Sequence, residues 1–161
     1  PETHSLRDRL QIRYGVRFER LAAELNLEQQ AAAHGEKLWE TNPDRCCGLR
    51  KVQPLTKALA GFDAWITAIR RDQSPTRTNV KVVEWDAKFG LVKINPLARW
   101  SSKEVWEFIS ENNVPYNPLH DLGYPSIGCR PCTTLVQIGE NPREGRWRGQ
   151  AKTECGLHQS K

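Results

Sequence analysis

Residues Val80–Glu111 read VKVVEWDAKFGLVKINPLARWSSKEVWEFISE, and the fold class turns on them. The runs Val80–Trp85 and Leu91–Ile94 are rich in β-branched residues and bounded by turn-forming ones, the pattern of two short strands. Ser101, followed three residues later by Glu104, is a capping-box pair whose side chains can each satisfy the other's backbone N–H. Val105, Trp106, Phe108 and Ile109 then supply an apolar face, so a helix is expected from there to about Asn112 or Asn113. Strands alternating with helices imply an α/β fold.

Upstream, Ala64–Arg70 reads as a third short strand. Thr3–Tyr14, with Leu6 and Leu10 among charges, suits an amphipathic helix, and Val16–Leu21 alternates weakly as a strand would. Glu28–Trp39 reads as another helix. After the turn signal Asn42-Pro43, Asp44 is expected to cap a helix that carries Cys46 and Cys47 in its first turns. The positive end of the helix dipole would there favour thiolate over thiol. From Val114 onward Pro and Gly recur too often for long elements, so the chain is expected to continue as loops held by something other than a core.

A chain of 161 residues has room for one ordinary domain. With 38% hydrophobic and 27% charged residues and no long apolar run, it has the composition of a globular protein with no membrane partner. No cationic, apolar leader opens it, so a cytoplasmic location is expected. The net charge of +5 fits either nucleic acid or a small anionic substrate met by arginines. Basic residues are scattered with no aromatic-interleaved ladder, so nucleic acid is not the expected partner. Methionine is missing throughout, position 1 included, and functional parts are expected to lie upstream of Pro1.

Five cysteines fall as Cys46-Cys47, Cys129-Arg130-Pro131-Cys132 and a lone Cys155. A C-x-x-C in a Gly/Pro-rich loop is a recurrent two-ligand unit for zinc or iron-sulfur. Adjacent side chains on a helix diverge by about 100°, which suits a single compact ion poorly and a cluster with several irons better. Iron-sulfur is therefore favoured over zinc. Inert buried thiols and disulfides are the plainer readings; two separate pairs weaken the first, and a reducing compartment weakens the second. Cys155, in Glu154-Cys155-Gly156-Leu157-His158, would ordinarily be an incidental tail residue. It becomes a candidate nucleophile if His158, Lys51 or nearby arginines support its thiolate, and Gly156 would let the tail bend into a site.

Several stretches together resemble the iron-sulfur assimilatory sulfonucleotide reductases, in particular the adenylyl-sulfate reductases. They are Cys46-Cys47-Gly48-Leu49-Arg50-Lys51-Val52-Gln53-Pro54-Leu55, Trp65-Ile66-Thr67 with Arg70-Arg71-Asp72-Gln73-Ser74-Pro75, and Asn95-Pro96-Leu97. Gly123-Tyr124-Pro125-Ser126-Ile127-Gly128 leading into Cys129–Cys132, Arg143-Glu144-Gly145-Arg146-Trp147, and Glu154–His158 complete the set. The resemblance implies the C-terminal part of an adenine-nucleotide alpha-hydrolase-like (PP-loop-like) domain over residues 1–161, with 133–161 as a loop-rich segment carrying the catalytic cysteine. The family's N-terminal phosphate-cradling strand and loop have no counterpart here, so this chain alone is expected to bind nucleotide poorly.

By the same resemblance, Cys46, Cys47, Cys129 and Cys132 would ligate a 4Fe-4S cluster and Cys155 would be the nucleophile. Lys51, Arg143, Arg146 and His158 would lie at the phosphosulfate, with Arg70, Gln73, Arg77 and Trp147 further substrate-binding candidates. The implied reaction reduces adenylyl sulfate to sulfite and AMP through a thiosulfonate on Cys155. Thioredoxin, or a glutaredoxin-like protein, would be the reductant, within sulfate assimilation and cysteine biosynthesis. A homo-oligomer is compatible with the sequence. Two other readings stand beside this one: reduction of the 3'-phosphorylated nucleotide, whose reductases typically lack both cysteine pairs, and a noncatalytic metal-binding module in which Cys155 is incidental.

Overall fold

A computed structural model describes residues 1–158. Its sheet has three strands: β1 (Ala64–Ile66), β2 (Val83–Asp86) and β3 (Leu91–Ile94), in the order β1-β3-β2. β3 is central, parallel to β1 and antiparallel to β2. The register places Lys93 opposite both Trp65 and Glu84. Lys93 is buried, with its ammonium 3.2 Å from the Glu84 carboxylate and 5.7 Å from the centre of the Trp65 ring, so neighbouring strands satisfy the charge that β3 brings inside.

The chain leaves the carboxyl ends of β1 and β3 over a polar plug. Asn95 is completely buried; its amide donates to the Lys81 carbonyl (2.8 Å) and to Glu84 Oε1 (3.1 Å), and its oxygen accepts from the Thr67 hydroxyl. Just beyond, the Arg71 amide donates to the Ala98 carbonyl at 3.1 Å, tying the short 3-10 turn Arg71–Gln73 to the end of the sheet. That turn lines the site described below, and the next one, Pro75–Arg77, lies behind it.

Six α-helices complete the frame: α1 (Glu2–Tyr14), α2 (Leu27–His34), α3 (Leu38–Thr41), α4 (Pro43–Cys47), α5 (Gln53–Leu59) and α6 (Ser102–Glu111). The capping box at α6 forms as read: the Glu104 amide donates to Ser101 Oγ at 3.2 Å and the Ser101 amide to Glu104 Oε2 at 2.7 Å. The helix expected over Glu28–Trp39 is divided, because Gly35 at φ 90° ends α2 and Lys37 at φ 49° restarts the chain into α3. Val16–Leu21 is not a strand: Val16, Phe18 and Leu21 are exposed, and no strand among the described residues offers them a ladder.

Between α4 and α5 the winding loosens into a π-helical stretch, Gly48–Val52. Such wide turns cost backbone hydrogen-bond geometry and recur at functional sites. Beyond α6 the chain runs as loops with brief 3-10 turns at Pro118–His120 and Arg130–Cys132 and one isolated bridge between Thr133 and Arg146. Among the described residues no helix is long and apolar enough to cross a membrane.

Ser101→Ala removes the cap of α6 and is expected to lower unfolding stability by about 1 kcal/mol, measured by urea denaturation. An unchanged midpoint and slope would show that the cap is energetically idle.

Candidate functional site

Both cysteine pairs line one cavity of about 230 Å³. Cys46 and Cys47 reach it from the end of α4, and Cys129 and Cys132 from the 3-10 turn, where the Cys132 amide donates to the Cys129 carbonyl at 2.9 Å. All five cysteines are free thiols. Cys46 Sγ accepts a long contact from the buried Gln30 amide at 3.7 Å, and Arg50 holds Gln30 from the other side at 3.3 Å. No group of three or more His, Cys, Asp or Glu side chains among the described residues closes on one point as a single metal ion requires.

The cap expected at Asp44 lies two residues earlier. Asn42, not Asp44, caps α4, accepting from the Arg45 amide at 3.0 Å, and Cys46 and Cys47 stand at the fourth and fifth helical positions, with the winding continuing past them through the π-helical stretch into α5. Burial pushes the Cys47 thiol up, away from the thiolate expected of it, against a downward pull from Lys51 and Lys152. Burial raises Cys132 as well, with Cys129 and Cys47 adding to it.

A second, larger cavity of about 660 Å³ opens between α6 and the loops around it. Arg70, Gln73, Arg143 and Arg146 all line it, together with an aromatic group in which Trp106 meets Tyr116 and His120 edge-on. Arg146 also borders the cysteine loop. It donates to the Ile127 carbonyl at 3.2 Å and to Ser126 Oγ at 3.4 Å, and its guanidinium lies so close to Gly128 that a Cβ there would sit 2.2 Å from Nη2. Only glycine fits beside Cys129 with Arg146 in that place. Arg143 donates to the Thr153 carbonyl at 2.8 Å and approaches Glu154 Oε2 at 3.3 Å. Burial pushes its pKa down, while Glu154 pulls it back up.

Cys155 is half-buried and lines neither cavity, but the residues just before it are tied to both sides: Thr153 and Glu154 to Arg143, and Lys152 to Asp44 on the helix that carries Cys46 and Cys47. Gly156 takes φ 84° and turns the tail directly after it. Lys51, in the π-helical stretch, lines the cysteine cavity and lies 5.7 Å from the centre of the Trp147 ring. Trp147 itself is buried at φ 50°, with Arg146 and Lys152 against its ring at 4.6 and 5.5 Å and its backbone amide donating to the Cys132 carbonyl. It lines neither cavity and acts as a post between them.

Two expected residues are placed away from both cavities. Arg77 is turned inward, its guanidinium committed to Glu154 through two contacts of 2.7 Å. His158 stacks on Trp65, with ring centres 5.7 Å apart and planes 8° from parallel. Burial, reinforced by Lys93 and Arg77, lowers His158 to about 4, so at neutral pH it is uncharged and does not lend Cys155 the positive support expected of it.

Residues 1–135 match the family described as "Phosphoadenosine phosphosulfate reductase domain". The chain belongs to this family. It is 54% identical over 161 residues to the phosphoadenosine 5'-phosphosulfate reductase of Gloeobacter violaceus, covering 98% of this chain and 67% of that protein. It is 52% identical over 159 residues to the adenosine 5'-phosphosulfate reductase of Rhodococcus opacus, covering 99% and 64%. The adenosine 5'-phosphosulfate reductase 1 of Bacillus subtilis is 50% identical over 159 residues, covering 98% and 68%. The chain thus spans about two thirds of the length of these relatives, and less than two thirds of the Rhodococcus protein. The crystal structure of a phosphoadenylyl-sulfate reductase from Candida auris, a phosphate complex, superposes with a TM-score of 0.67 at 35% identity, over 84% of this chain and 66% of that one.

Within this reductase-family site, sequence reasoning passed over Lys152 and Glu154. Lys152 pairs with Asp44 at the start of α4, and its side chain is 7% exposed. Glu154 is buried among arginines. The available signal was an acidic residue directly before a lone cysteine in a segment with an excess of arginine, where a buried counter-ion is the economical arrangement.

His158 gives a pH test. Its folded value of about 4 lies below the ordinary 6.5, so the stabilisation it contributes is complete above about pH 6.5 and lost as pH falls toward 4. The thermal midpoint of the wild-type protein is expected to fall more between pH 7 and pH 5 than that of His158→Gln. Parallel falls would contradict the buried, neutral ring.

Proposed function

We propose that this chain carries the sulfur chemistry of an adenylyl-sulfate reductase, converting adenylyl sulfate to sulfite and AMP in the cytoplasm as part of sulfate assimilation and cysteine biosynthesis. The observation that carries the reading is the anchorage of the segment that bears Cys155, with Thr153 and Glu154 held by Arg143 at the arginine-lined cavity and Lys152 held by Asp44 on the helix that carries Cys46 and Cys47.

In this reading the phosphosulfate lies against Arg143 and Arg146, whose planar forks suit oxyanions, with Arg70 and Gln73 further along the same wall. The Cys155 thiolate attacks the sulfate sulfur, the bond from that sulfur to the bridging phosphate oxygen breaks, and AMP leaves with the electron pair. Arginines fixed before reaction stabilise the charge on the departing phosphate without reorganising. Cys155 then carries a thiosulfonate. A thiolate of thioredoxin, or of a glutaredoxin-like dithiol protein, attacks the Cys155 sulfur, and sulfite leaves with the pair from the broken S–S bond. The second thiol of the reductant resolves the mixed disulfide and restores Cys155.

Cys46, Cys47, Cys129 and Cys132 would hold a 4Fe-4S cluster. The fit rests on four free thiols lining one cavity and on Lys51 and Arg50 in the same walls to offset anionic charge. When bound, the cluster supplies a fixed charged body beside the site. Lys51 links the two, since it borders the cysteine cavity and packs on Trp147, which in turn stacks with Arg146. The paired cysteines favour adenylyl sulfate, since reductases of the 3'-phosphorylated nucleotide typically lack them. The name of the Gloeobacter relative supports that second substrate.

Cys155→Ser is expected to lower sulfite formation from adenylyl sulfate by about 10³-fold or more while metal content stays unchanged. Sulfite release at the wild-type rate would remove Cys155 as the nucleophile, whereas no sulfite from the wild-type protein either would return the chain to a noncatalytic metal-binding module. A wild-type preference for the 3'-phosphorylated nucleotide would move only the substrate assignment.

A further inference from the structure

The segment bearing Cys155 is held in an unusual way. Among the described residues no backbone–backbone hydrogen bond joins residues 151–158 to the rest of the protein; the last such bond is from the Gln150 amide to the Trp147 carbonyl. Side chains do the holding: Lys152 to Asp44, Arg143 to the Thr153 carbonyl, Lys88 to the Gly156 carbonyl, and the carboxylate of Glu154. Of these, Glu154 alone offers a buried multidentate grip. Its Oε1 accepts from Arg77 Nε at 2.7 Å and from Thr76 Oγ1 at 3.0 Å, and its Oε2 accepts from Arg77 Nη2 at 2.7 Å and from Arg143 Nη2 at 3.3 Å.

Each of these donors belongs to the walls of the arginine-lined cavity or to the turn behind them. Arg77 closes the 3-10 turn Pro75–Arg77 and also donates to Gln73 Oε1, which accepts from the Arg70 amide at 3.1 Å. One carboxylate thus connects the residue next to Cys155 with Gln73 and Arg70 on one side and with Arg143 on the other. We infer that Glu154 is a positioning residue, which fixes Cys155 relative to the phosphosulfate arginines and orients Arg143 toward the cavity. The inference rests on the reading of Cys155 as the nucleophile. Its physical content is that a nucleophile on a tail without backbone anchorage must be placed to within a fraction of an ångström, and a displacement of about 1 Å typically costs about 10²-fold in rate.

The test compares the wild-type holoenzyme with Glu154→Gln and with Arg77→Lys, which keeps the charge and loses the two-pronged contact. Steady-state turnover of adenylyl sulfate with a dithiol reductant is read beside the rate at which iodoacetamide alkylates Cys155, with iron content and thermal midpoint as folding controls. For Glu154→Gln, kcat is expected to fall about 10²-fold with KM changed only a few-fold, Cys155 to alkylate faster, and iron to stay at the wild-type level. Arg77→Lys is expected to show the same pattern more weakly, and decides the matter if Glu154→Gln does not fold. Wild-type kcat and alkylation in the folded variants would overturn the inference. Because Cys155→Ser is assayed alongside, the two failures separate: an active Cys155→Ser removes the nucleophile reading, whereas an inactive Cys155→Ser with a fully active Glu154→Gln removes only the role of Glu154.

Discussion

The Glu154 carboxylate, gripped by two arginines and a threonine hydroxyl in a buried setting, is the contact on which the arrangement of the carboxyl-terminal segment depends. Burial alone would raise its pKa, but the Arg77 and Arg143 charges and the hydrogen bonds more than offset this and hold it below the ordinary value. A buried ion pair of this kind is weak as net stabilisation and strong as a constraint: removing one partner generally costs about 3–5 kcal/mol, because the other is left charged and unpaired. A loop-rich segment with little apolar burial gains from such a contact a single defined position.

A second constraint works beside it. Trp147, buried among Lys51, Arg146 and Lys152, lies between the cysteine cavity and the tail, with its amide on the Cys132 carbonyl. Three cations around one indole are tolerable because the ring face is electronegative and because Arg146 and Lys152 have further partners in the Ile127 carbonyl and Asp44. The arrangement concentrates positive charge where an anionic substrate and a cysteine-held anionic group would both need it. The small sheet contributes less to the chemistry than to the placement of the turns after β1, which reach the site through Asn95 and the Arg71–Ala98 hydrogen bond.

Local signals were readable where one short-range interaction decides the outcome. Leu91–Ile94 forms a strand at the expected limits, and Ser101 with Glu104 caps α6. Val16–Leu21 misled because alternation promises a strand only where a partner exists to pair with it. Cys46 and Cys47 stand two positions further into their helix than expected because Asn42 and Asp44 are both good caps, and Pro43 at the first helical position favours the earlier one. Arg77 illustrates the limit for charged side chains: nothing local distinguishes an arginine that faces a ligand from one that neutralises a carboxylate 77 positions away. The convergence of Arg70, Gln73, Arg143 and Arg146 on one cavity was accessible only through the resemblance of their motifs to a known family.

The account rests on four cysteines from distant parts of the chain serving as one cluster site beside an arginine-lined anion site. Iron and acid-labile sulfide, determined together with the absorption spectrum on anaerobically purified protein, test this most directly. The account predicts about four irons and four sulfides per chain with visible absorption that bleaches when the cluster is lost. About one zinc per chain, with no sulfide and no visible absorption, would contradict it.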